Sequence, residues 1–361
     1  MDIEDSLRQI ERCRYRSGLY SAVPAESDAK VPVYASVWLR DTVYTLLAFE
    51  AIGDVDGLRA GVHALMDRVL LRWQYRLDWR IVEGMPEHPM EYLHPRFGAD
   101  GEEVGTELWG LRQDDAVGLV LWALARWEER FEVFRNDYED FHLLQKLVWY
   151  LDRIRHPHVP DAGIWEEDGA EAVHLSSVGA VAAGLTQARR LGVKDIPERL
   201  WHDTTLALLA MHGRESGLHD TDLALLTLVW PLGEDLPLPR STQREIVARV
   251  ERELLGTRGV VRYADDVYHA CGGRPPEWTM GLGFLALAHE ALGDQEAARR
   301  YLRRLESVAT PDGELPESWC HDPSHDEFYN SPLCWSHALH VVASTRLAST
   351  ASDEASLVTA V

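Results

Sequence analysis

The chain has 361 residues, of which 46% are hydrophobic and 26% are charged, as in an ordinary soluble globular protein. Its formal net charge of −23 repels phosphate groups, so neither a nucleic acid nor an anionic membrane is an expected partner. Four cysteines are too few for a disulfide framework in a chain of this length, and the acidic residues 1–5 do not resemble a signal peptide. We therefore expect a reducing, cytoplasmic setting and no membrane span.

Helical patterns dominate the chain, strand signals are scarce, and two kinds of predicted helix alternate. Amphipathic segments with one charged face predict outer helices, at residues 3–14, 55–73, 138–153, 196–211, 242–255 and 294–307. Segments that are apolar or small on nearly all sides predict buried inner helices, at residues 41–51, 114–124, 176–188, 221–230, 277–292 and 336–345. Thr242 to Glu245 fits a capping box, and Gly293 before Asp294 indicates the end of one helix and the start of the next.

Six inner and six outer helices in alternation predict an all-α fold, a closed (α/α)6 barrel. A superhelical repeat array would also alternate two layers, but the inner helices begin at unequal intervals, which favours the closed barrel. We assign residues 1–347 to this single domain and residues 348–361 to a frayed tail. Four loops that lead into inner helices are longer than packing requires, at residues 76–113, 156–174, 256–276 and 309–335. These loops should open at one end of the barrel.

Six tryptophans lie in or beside the segments that lead into inner helices, namely Trp38, Trp109, Trp165, Trp278, Trp319 and Trp335. The flat apolar faces of a pyranose stack on aromatic rings, so tryptophans gathered at one mouth suit a sugar site. Large aromatic side chains can also simply fill the loop layer as packing. For the six together we favour the sugar site.

Two acidic motifs lie in these loops, far apart in the sequence. Glu166 lies between Trp165 and Glu167, and an apolar neighbour and a second carboxylate both raise the pKa of a glutamate, as a general acid needs. Glu317 follows Pro316, which stiffens the loop, and a general base must be held in position. Each motif alone could be a surface loop of acids. Together they match the pair of carboxyl groups that cleavage of a glycosidic bond requires.

Further polar residues are candidates for binding the sugar. The adjacent Arg40 and Asp41 could hold vicinal hydroxyls, because one partner donates hydrogen bonds and the other accepts them. Asp41 and Asp114 each begin an inner helix, where an aspartate is also an ordinary N-cap. Arg262 is another candidate donor, although it could equally form a surface ion pair with a neighbouring aspartate.

A metal site is the competing interpretation of the last loop. Cys320, His321, His325 and Cys334 could together hold a tetrahedral zinc ion. Their spacing matches no standard zinc pattern and two prolines interrupt it, so we predict no metal. We find no phosphate-binding Gly-rich loop and no nucleophile elbow, and we predict no cofactor.

Taken in order, six segments resemble glycoside hydrolase family 15, the glucoamylase-like family. That family also includes some trehalases, isomaltose-releasing glucohydrolases and the related domains of phosphorylase kinase regulatory subunits. Residues 34–41 look like the family's Tyr-x3-Trp-x-Arg-Asp segment, and residues 109–115 are similar to its Trp-Gly-x-x-Gln-x-Asp segment. The other similar segments are residues 164–167, 261–268, 315–317 and 332–338. The resemblance therefore covers nearly the whole chain.

The resemblance implies an (α/α)6 barrel and an inverting, exo-acting mechanism, with Glu166 as general acid and Glu317 as general base. It implies that Arg40 and Asp41 hold the non-reducing glucose and that Tyr34 lies near the reacting centre. The further residues that it implies around the substrate are Glu167 and Arg262 on the leaving sugar and the tryptophans of the walls, among them Trp38, Trp109, Trp165 and Trp335. Two departures are Ser318, where many relatives have glutamine, and the lack of the N-terminal β-sandwich that many microbial relatives carry.

We therefore predict a glucoamylase-like hydrolase that releases glucose from the non-reducing end of short α-gluco-oligosaccharides. A second hypothesis is a non-catalytic, sugar-binding regulatory barrel like the phosphorylase kinase regulatory domains. A third is another (α/α)6 enzyme, such as a lyase or an epimerase, which would need a tyrosine or histidine acid–base pair. His269, His321 and His337 are its candidates.

Overall fold

The computed structural model describes residues 1–26, 32–72, 74–104, 109–135, 137–166, 172–320 and 327–359. Six elements form an inner layer: α2 (Leu39–Ile52), α5 (Asp114–Phe131), α7 (Leu175–Leu191), a 3-10 helix (Leu223–Leu228), α10 (Met280–Ala291) and α12 (Cys334–Thr359). An outer layer surrounds them: α1 (Ile3–Arg12), α3 (Val55–Leu65), α4 (Gln74–Glu83), α6 (Asp137–Arg153), α8 (Glu198–Ala210), α9 (Arg240–Glu253) and α11 (Gln295–Ser307). Each inner element packs against the next, and α12 packs against α2, which closes the ring. The predicted all-α (α/α)6 barrel is confirmed.

The inner helices pack closely because small residues lie where their backbones meet. A Cβ atom on Gly118 of α5 would lie 2.5 Å from the backbone nitrogen of Val181 in α7. Real Cβ atoms do not approach backbone atoms so closely, so this crossing requires glycine. The sequence expectation that these segments are buried on all sides is met in α5, where residues from Asp114 to Ala125 are all buried.

Several predicted boundaries differ from the structure. Within residues 221–230 only the short 3-10 helix forms. The side chain of Asp222 accepts a 2.7 Å hydrogen bond from the backbone nitrogen of Ala224 at its start, and Pro231 disfavours a helical conformation in the residue before it. The last helix continues to Thr359 rather than ending at residue 347. The capping box predicted at residues 242–245 is wrong, because α9 already begins at Arg240. The predicted N-cap at Asp294 is confirmed by a 3.0 Å hydrogen bond from the backbone of Ala297.

Two small antiparallel sheets, absent from the predicted elements, organise the loops at one end of the barrel. In the first, β1 (Val37–Trp38) pairs with β2 (Arg96–Phe97). In the second, β4 (Ser318–Trp319) lies between β3 (Glu277–Trp278) and β5 (Phe328–Tyr329). These strands bring residues from distant loops to the ends where α2, α10 and α12 begin. Among the described helices, none is long and apolar enough to cross a bilayer.

One disulfide joins Cys271, in the loop before β3, to Cys320 at the end of β4. The sequence analysis expected no such bond, because four cysteines in a long chain carry no pairing signal. Disulfides persist mainly in oxidising compartments, so this bond does not support the expected reducing setting. Cys13 and Cys334 are free and buried.

Candidate active site

A cavity of about 790 Å³ opens at the end of the barrel where the inner helices begin. Its volume lies within the roughly 300–1,000 Å³ typical of small-molecule pockets. Both predicted catalytic carboxyl groups line it, Glu166 from the loop before α7 and Glu317 from the loop before α12. The other predicted residues that line it are Tyr34, Trp38, Arg40, Asp41, Trp109, Trp165, Arg262 and Trp335. Folding thus brings together residues as far apart in the sequence as Tyr34 and Trp335.

Glu166 lies at the cavity wall with its backbone in the left-handed region, at a φ of 60°. Few glutamates adopt this conformation, and such strain is characteristic of functional loops. One carboxylate oxygen accepts a 2.8 Å hydrogen bond from Arg40 Nη2. Burial raises the pKa of this carboxyl, while Arg40 and Arg262 oppose the rise, and Asp115 adds to it. The like charge foreseen from Glu167 lies outside the described residues.

Glu317 is held by its backbone and its side chain. Its backbone nitrogen donates to the carbonyl oxygen of Asn330 at 3.1 Å, and its carbonyl oxygen accepts from the backbone of Thr279 at 2.9 Å. Asn330 Nδ2 donates to Glu317 Oε2 at 2.6 Å. Burial raises the pKa of Glu317 to about 8, although Asn330, Tyr34 and Arg262 oppose this rise. Glu317 therefore has a fixed position and a proton that is exchangeable near neutral pH.

Arg40 and Asp41 occupy the first turn of α2 and are 3% and 8% exposed. Arg40 Nη1 donates to Asp115 at 2.8 Å and to Gln113 at 3.1 Å, so the guanidinium is fixed between Asp115 and Glu166. Burial raises the pKa of Asp41 to about 7, against the influence of Arg40. A fixed donor therefore lies beside an acceptor at the bottom of the cavity, as the sequence suggested for binding vicinal hydroxyls.

Two tyrosines line the same cavity as the carboxyl groups. The hydroxyls of Tyr34 and Tyr268 are 3.0 Å apart and share a hydrogen bond. Burial raises the pKa of Tyr34 well above its ordinary value, and Glu317 and Glu166 both contribute to the rise. Burial likewise raises the pKa of Tyr268 to about 12, with contributions from the same carboxyl groups. Both phenols therefore stay protonated and can donate hydrogen bonds close to the two acids.

Arg262 lines the cavity but is not a free donor. It forms a bidentate ion pair with Asp266, at 2.7 and 2.6 Å. Its guanidinium carbon lies 4.4 Å from the ring centre of Trp278 and 5.4 Å from that of Trp165. The ion pair considered in the sequence analysis thus exists, but it is buried in the cavity wall rather than exposed at the surface.

Five of the six tryptophans gathered at the mouth line the cavity. Trp38 and Trp109 meet edge to face at 5.6 Å, and Trp335 stacks on Tyr44 at 4.7 Å. The indole nitrogen of Trp335 is buried without a hydrogen-bond partner among the described residues. Trp319 is the exception, because its indole points into the loop layer and donates to Val308 at 2.9 Å. Its role is packing.

Asp114 is not part of the cavity, which corrects its prediction as a substrate-binding residue. Arg112 binds it through two hydrogen bonds, at 3.1 and 2.9 Å, and His156 Nδ1 lies 2.8 Å away. Although burial alone would raise its pKa, Arg112 and His156 hold the pKa of Asp114 below its ordinary value. Asp114 therefore anchors the start of α5, and its neighbour Asp115 supports Arg40.

Residues missed by the sequence analysis complete the site. Tyr268 and Asp115 lay within the motifs, but nothing in their positions marked them as neighbours of the carboxyl groups. Asn330 carried no signal, since its contact with Glu317 arises only when β4 and β5 pair. Its φ of 51° lies in the left-handed region, which asparagine tolerates better than most residues.

The competing chemistries find little support in the described part of the chain. Cys320 is in the disulfide, so it has no free thiolate for the zinc site that was considered, and Cys334 lies 3.2 Å from the buried Thr45. His321 and His325 lie outside the described residues. No group of three or more potential metal-binding side chains occurs within the described ranges.

Of the histidines that kept a lyase or an epimerase open, the two that the structure describes, His269 and His337, do not line the cavity. His337 is fully buried beneath it, where it accepts from the backbone of Leu315 at 2.9 Å. Burial lowers the pKa of His337 to about 3. His269 stacks on Tyr329 at 4.4 Å, and His321 lies outside the described residues.

Comparison with known families agrees with this geometry. The sequence profile described as glycosyl hydrolases family 15 matches residues 7–280, about three quarters of the chain. The chain belongs to glycosyl hydrolase family 15. It is 27% identical to an isomaltose glucohydrolase of Kribbella flavida, and the match covers 94% of this chain and 90% of that protein.

Two further similar proteins differ in kind. The chain is 29% identical to a probable phosphorylase b kinase regulatory subunit alpha of Caenorhabditis elegans, over 62% of this chain but only 21% of that subunit. A glycosidase variant solved in complex with glucose has the same fold, with a TM-score of 0.78, 24% identity and 96% of both chains covered. With its family, this protein is a glycoside hydrolase of the glucosidase and glucoamylase-like type.

Proposed function

We propose that this family 15 protein is an inverting, exo-acting hydrolase that releases glucose from the non-reducing end of short α-gluco-oligosaccharides. The observation that carries the proposal is that Glu166 and Glu317 line one cavity, each fixed by its own partner. A glycosidic bond needs one carboxyl group to donate a proton and a second to activate water or attack the sugar.

The two carboxyl groups take different roles. Glu166 donates its proton to the glycosidic oxygen as the bond to the anomeric carbon breaks. Glu317 accepts a proton from the water that attacks that carbon from the opposite face, so each turnover moves one proton onto Glu317 and one away from Glu166. Exchange with solvent restores both groups. The hydroxyls of Tyr34 and Tyr268 are placed to orient the water or the reacting sugar.

Exo-action follows from the buried end of the cavity. Arg40 and Asp41 hold the hydroxyls of the terminal glucose, and their burial leaves little room for further sugar units beyond it. Trp335 contributes an indole N–H that has no partner among the described residues and could donate to a sugar hydroxyl. The relative from Kribbella flavida bears the name isomaltose glucohydrolase, which makes a short α-glucoside the substrate class to test first.

The leaving sugar lies toward the mouth. Trp165 and Arg262 form the wall there, and Trp165 is fixed by a 2.8 Å hydrogen bond to Asp222. Trp38 and Trp109 contribute the facing aromatic surface. Glu167, for which the resemblance implies contact with this sugar, belongs to the same proposed subsite.

The kinase regulatory relatives raise the alternative of a barrel that binds sugar without cleaving it. Two carboxyl groups in one cavity, each held by its own partner, favour hydrolysis. Sugar binding alone does not require a buried glutamate such as Glu317, whose pKa is raised to about 8. The alternative predicts saturable sugar binding by the wild-type protein with no product.

The test is glucose release from maltose, isomaltose, maltotriose, panose and trehalose. We expect Glu166→Gln and Glu317→Gln each to lower kcat by at least about 10³-fold, since each removes an acid–base role. Glu314→Gln is a matched control in the same loop, because Glu314 pairs with Arg12 outside the cavity. It should keep wild-type activity. Activity that survives the double substitution at Glu166 and Glu317 would overturn the proposal.

A further inference from the structure

A second cavity, of about 280 Å³, lies at the end of the barrel opposite the active site. Its lining comes from the last turns of inner helices, such as Glu50 of α2, Arg130 of α5 and Arg190 of α7. The active-site cavity is lined instead where these helices begin. Because 280 Å³ is slightly below the usual range of roughly 300–1,000 Å³ for ligand pockets, only a small ligand would fit.

Positive charge is exposed at this cavity although the chain carries a net charge of −23. Four arginines line it, Arg126, Arg130, Arg190 and Arg346. The side chains of Arg130 and Arg190 are each 50% exposed, whereas those of their carboxylate partners, Glu50 and Asp235, are only 11% and 7% exposed. The exposed carboxylate of Glu234 also lines the cavity, so a ligand would meet these two guanidinium groups together with one exposed carboxylate.

Two of the three carboxylates that line the cavity, those of Glu50 and Asp235, already accept hydrogen bonds, and Glu234 is the third. Glu50 accepts from Arg126, from Arg130 at 3.3 Å and from Trp127 Nε1 at 2.8 Å. A guanidinium group has five N–H donors, so an arginine can keep such an ion pair and still donate to a ligand. The polar capacity left at this cavity is therefore mainly that of donors, which suits an anion.

A purely structural explanation accounts for only part of this arrangement. Cations in the last turn of a helix offset its macrodipole, which explains arginines at these positions. The macrodipole does not explain why an open cavity lies there, or why two indoles, those of Trp122 and Trp230, also line it. Nor does it explain Gln187, which is 3% exposed and lines the cavity, while its amide oxygen has no hydrogen-bond partner within the described ranges.

We propose that this second cavity binds a small phosphorylated sugar, a hexose monophosphate. The phosphate would accept charge-assisted hydrogen bonds from Arg130 and Arg190, a geometry that guanidinium groups favour. The sugar ring would lie against the indoles of Trp122 and Trp230. A sugar hydroxyl would donate to the amide oxygen of Gln187.

An aromatic column connects the two cavities along the barrel axis. Trp230 lines the second cavity and lies 6.3 Å from Tyr44, which stacks on Trp335 of the active-site wall at 4.7 Å. A ligand against Trp230 is thus two ring contacts from the substrate. Binding should therefore change the tryptophan fluorescence of the protein.

The test is calorimetric titration of the full chain with glucose 6-phosphate, with glucose and inorganic phosphate as separate probes. We expect saturable binding of one glucose 6-phosphate per chain, tighter than either probe alone. The double substitution Arg130→Ala and Arg190→Ala should weaken this binding by about tenfold or more, because two charged donors are lost. Arg199→Ala is the matched control, since Arg199 is an exposed arginine paired with Asp152 elsewhere.

Three outcomes would overturn the proposal: no saturable binding, equal binding by the arginine double variant, or binding that disappears when glucose fills the active site. The last would place the phosphorylated sugar in the active-site cavity. Hydrolysis is measured separately by glucose release, so failure of this inference and failure of the proposed activity are distinguishable. The arginine double variant should keep wild-type hydrolysis, which also shows that it is folded.

Discussion

The two carboxyl groups differ electrostatically because their partners differ. Burial raises the pKa of both, but Glu166 is opposed by two guanidinium groups and Glu317 first by the hydrogen bond from Asn330. Both groups line one cavity, and the proposed mechanism uses the form in which Glu166 is protonated and Glu317 is ionised. Since both pKa values are raised, activity should peak at a higher pH than ordinary carboxyl groups would give.

Asn330→Gly tests how the base is held. Glycine keeps the left-handed backbone but removes the 2.6 Å hydrogen bond to Glu317. Because that bond favours the ionised carboxylate, its loss should raise the apparent pKa of the base by about one unit. The pH–activity profile should move to higher pH, and kcat at pH 7 should fall by roughly tenfold.

The control for this prediction is Ser331→Ala, the neighbouring position, whose hydroxyl donates to Glu314 and not to Glu317. It should keep the wild-type profile. An Asn330→Gly enzyme with lower kcat but an unmoved pH profile would show that Asn330 acts through packing alone.

For individual residues, the sequence was a better guide to which side chains line the cavity than to which side chains contact one another. Glu166, Glu317, Arg40 and Asp41 were predicted from residue type and motif order, and all four line the cavity. Asp114 was predicted to bind substrate, but its neighbour Asp115 is the residue that pairs with Arg40, while Asp114 pairs with Arg112. Successive side chains on a helix point about 100° apart, and a linear motif does not show which of the two aspartates faces the barrel axis.

At the scale of elements, the disulfide fixes two loops that form one side of the active site. Cys271 is three residues after Tyr268, and Cys320 is three residues after Glu317. The bond therefore connects the loop that carries a cavity-lining phenol to the loop that carries the proposed base. Loss of this connection should loosen both.

Reduction of the disulfide should lower both stability and activity. The bond spans 49 residues, for which chain entropy predicts a contribution of roughly 4 kcal/mol to the free energy of unfolding. We expect dithiothreitol, or Cys271→Ser with Cys320→Ser, to lower Tm and kcat/KM. Scanning calorimetry and glucose release measure the two effects.

Cys13→Ala is the control for reduction, because it removes a free thiol and keeps the disulfide. Its response to dithiothreitol should match that of the wild type, and the double serine variant should not respond. Unchanged Tm and kcat/KM in a protein whose thiol titration proves full reduction would contradict this account.

Sequence periodicity predicted most of the long helices but missed the short strands and α4. Strands of two residues, such as β1 (Val37–Trp38), are too short to show an alternating pattern. They form because loops from distant parts of the chain meet above the barrel. All but the first two residues of α4 lie within residues 76–113, a stretch expected to be loop.

For the whole molecule, the raised pKa of the proposed base, Glu317, lowers the free energy of unfolding as the pH rises. Glu317 has a pKa of about 8 in the folded protein, against an ordinary 4.5. Its contribution to the free energy of unfolding is complete below pH 4.5 and is lost as the pH rises through 8. Between these two pH values the free energy of unfolding falls by about 5 kcal/mol because of Glu317. Asp41, raised to about 7, acts in the same direction.

We therefore expect the free energy of unfolding to fall between about pH 5 and pH 8, and Glu317→Gln to reduce that slope. Denaturant unfolding at fixed pH values measures both. Glu129→Gln is the control, since Glu129 is exposed on α5 and should leave the slope unchanged. A wild-type slope in Glu317→Gln would contradict the buried position of this carboxyl group.

His337 acts in the opposite direction at low pH. Burial holds its pKa near 3, so the folded state loses stability as the pH falls from about 6.5 toward 3. The protein should accordingly be most stable at mildly acidic pH, between the two effects.

The alternation of buried and amphipathic segments was enough to predict the closed barrel. The ring of inner helices closes through contacts such as the one between α12 and α2. The alternation of segments implies that such contacts exist but does not say which helices make them. The second cavity and its arginines were not foreseen, because each arginine alone resembles an ordinary residue near a helix end.

In the proposed mechanism, Glu166 and Glu317 carry out inverting hydrolysis of an α-glucoside. Its most direct test is proton NMR of the glucose released in the first minutes from isomaltose, maltose, panose and trehalose. We predict β-glucose as the first product, before mutarotation, from at least one of them. First release of α-glucose would contradict the inverting mechanism, and bound sugar with no product would favour the regulatory barrel.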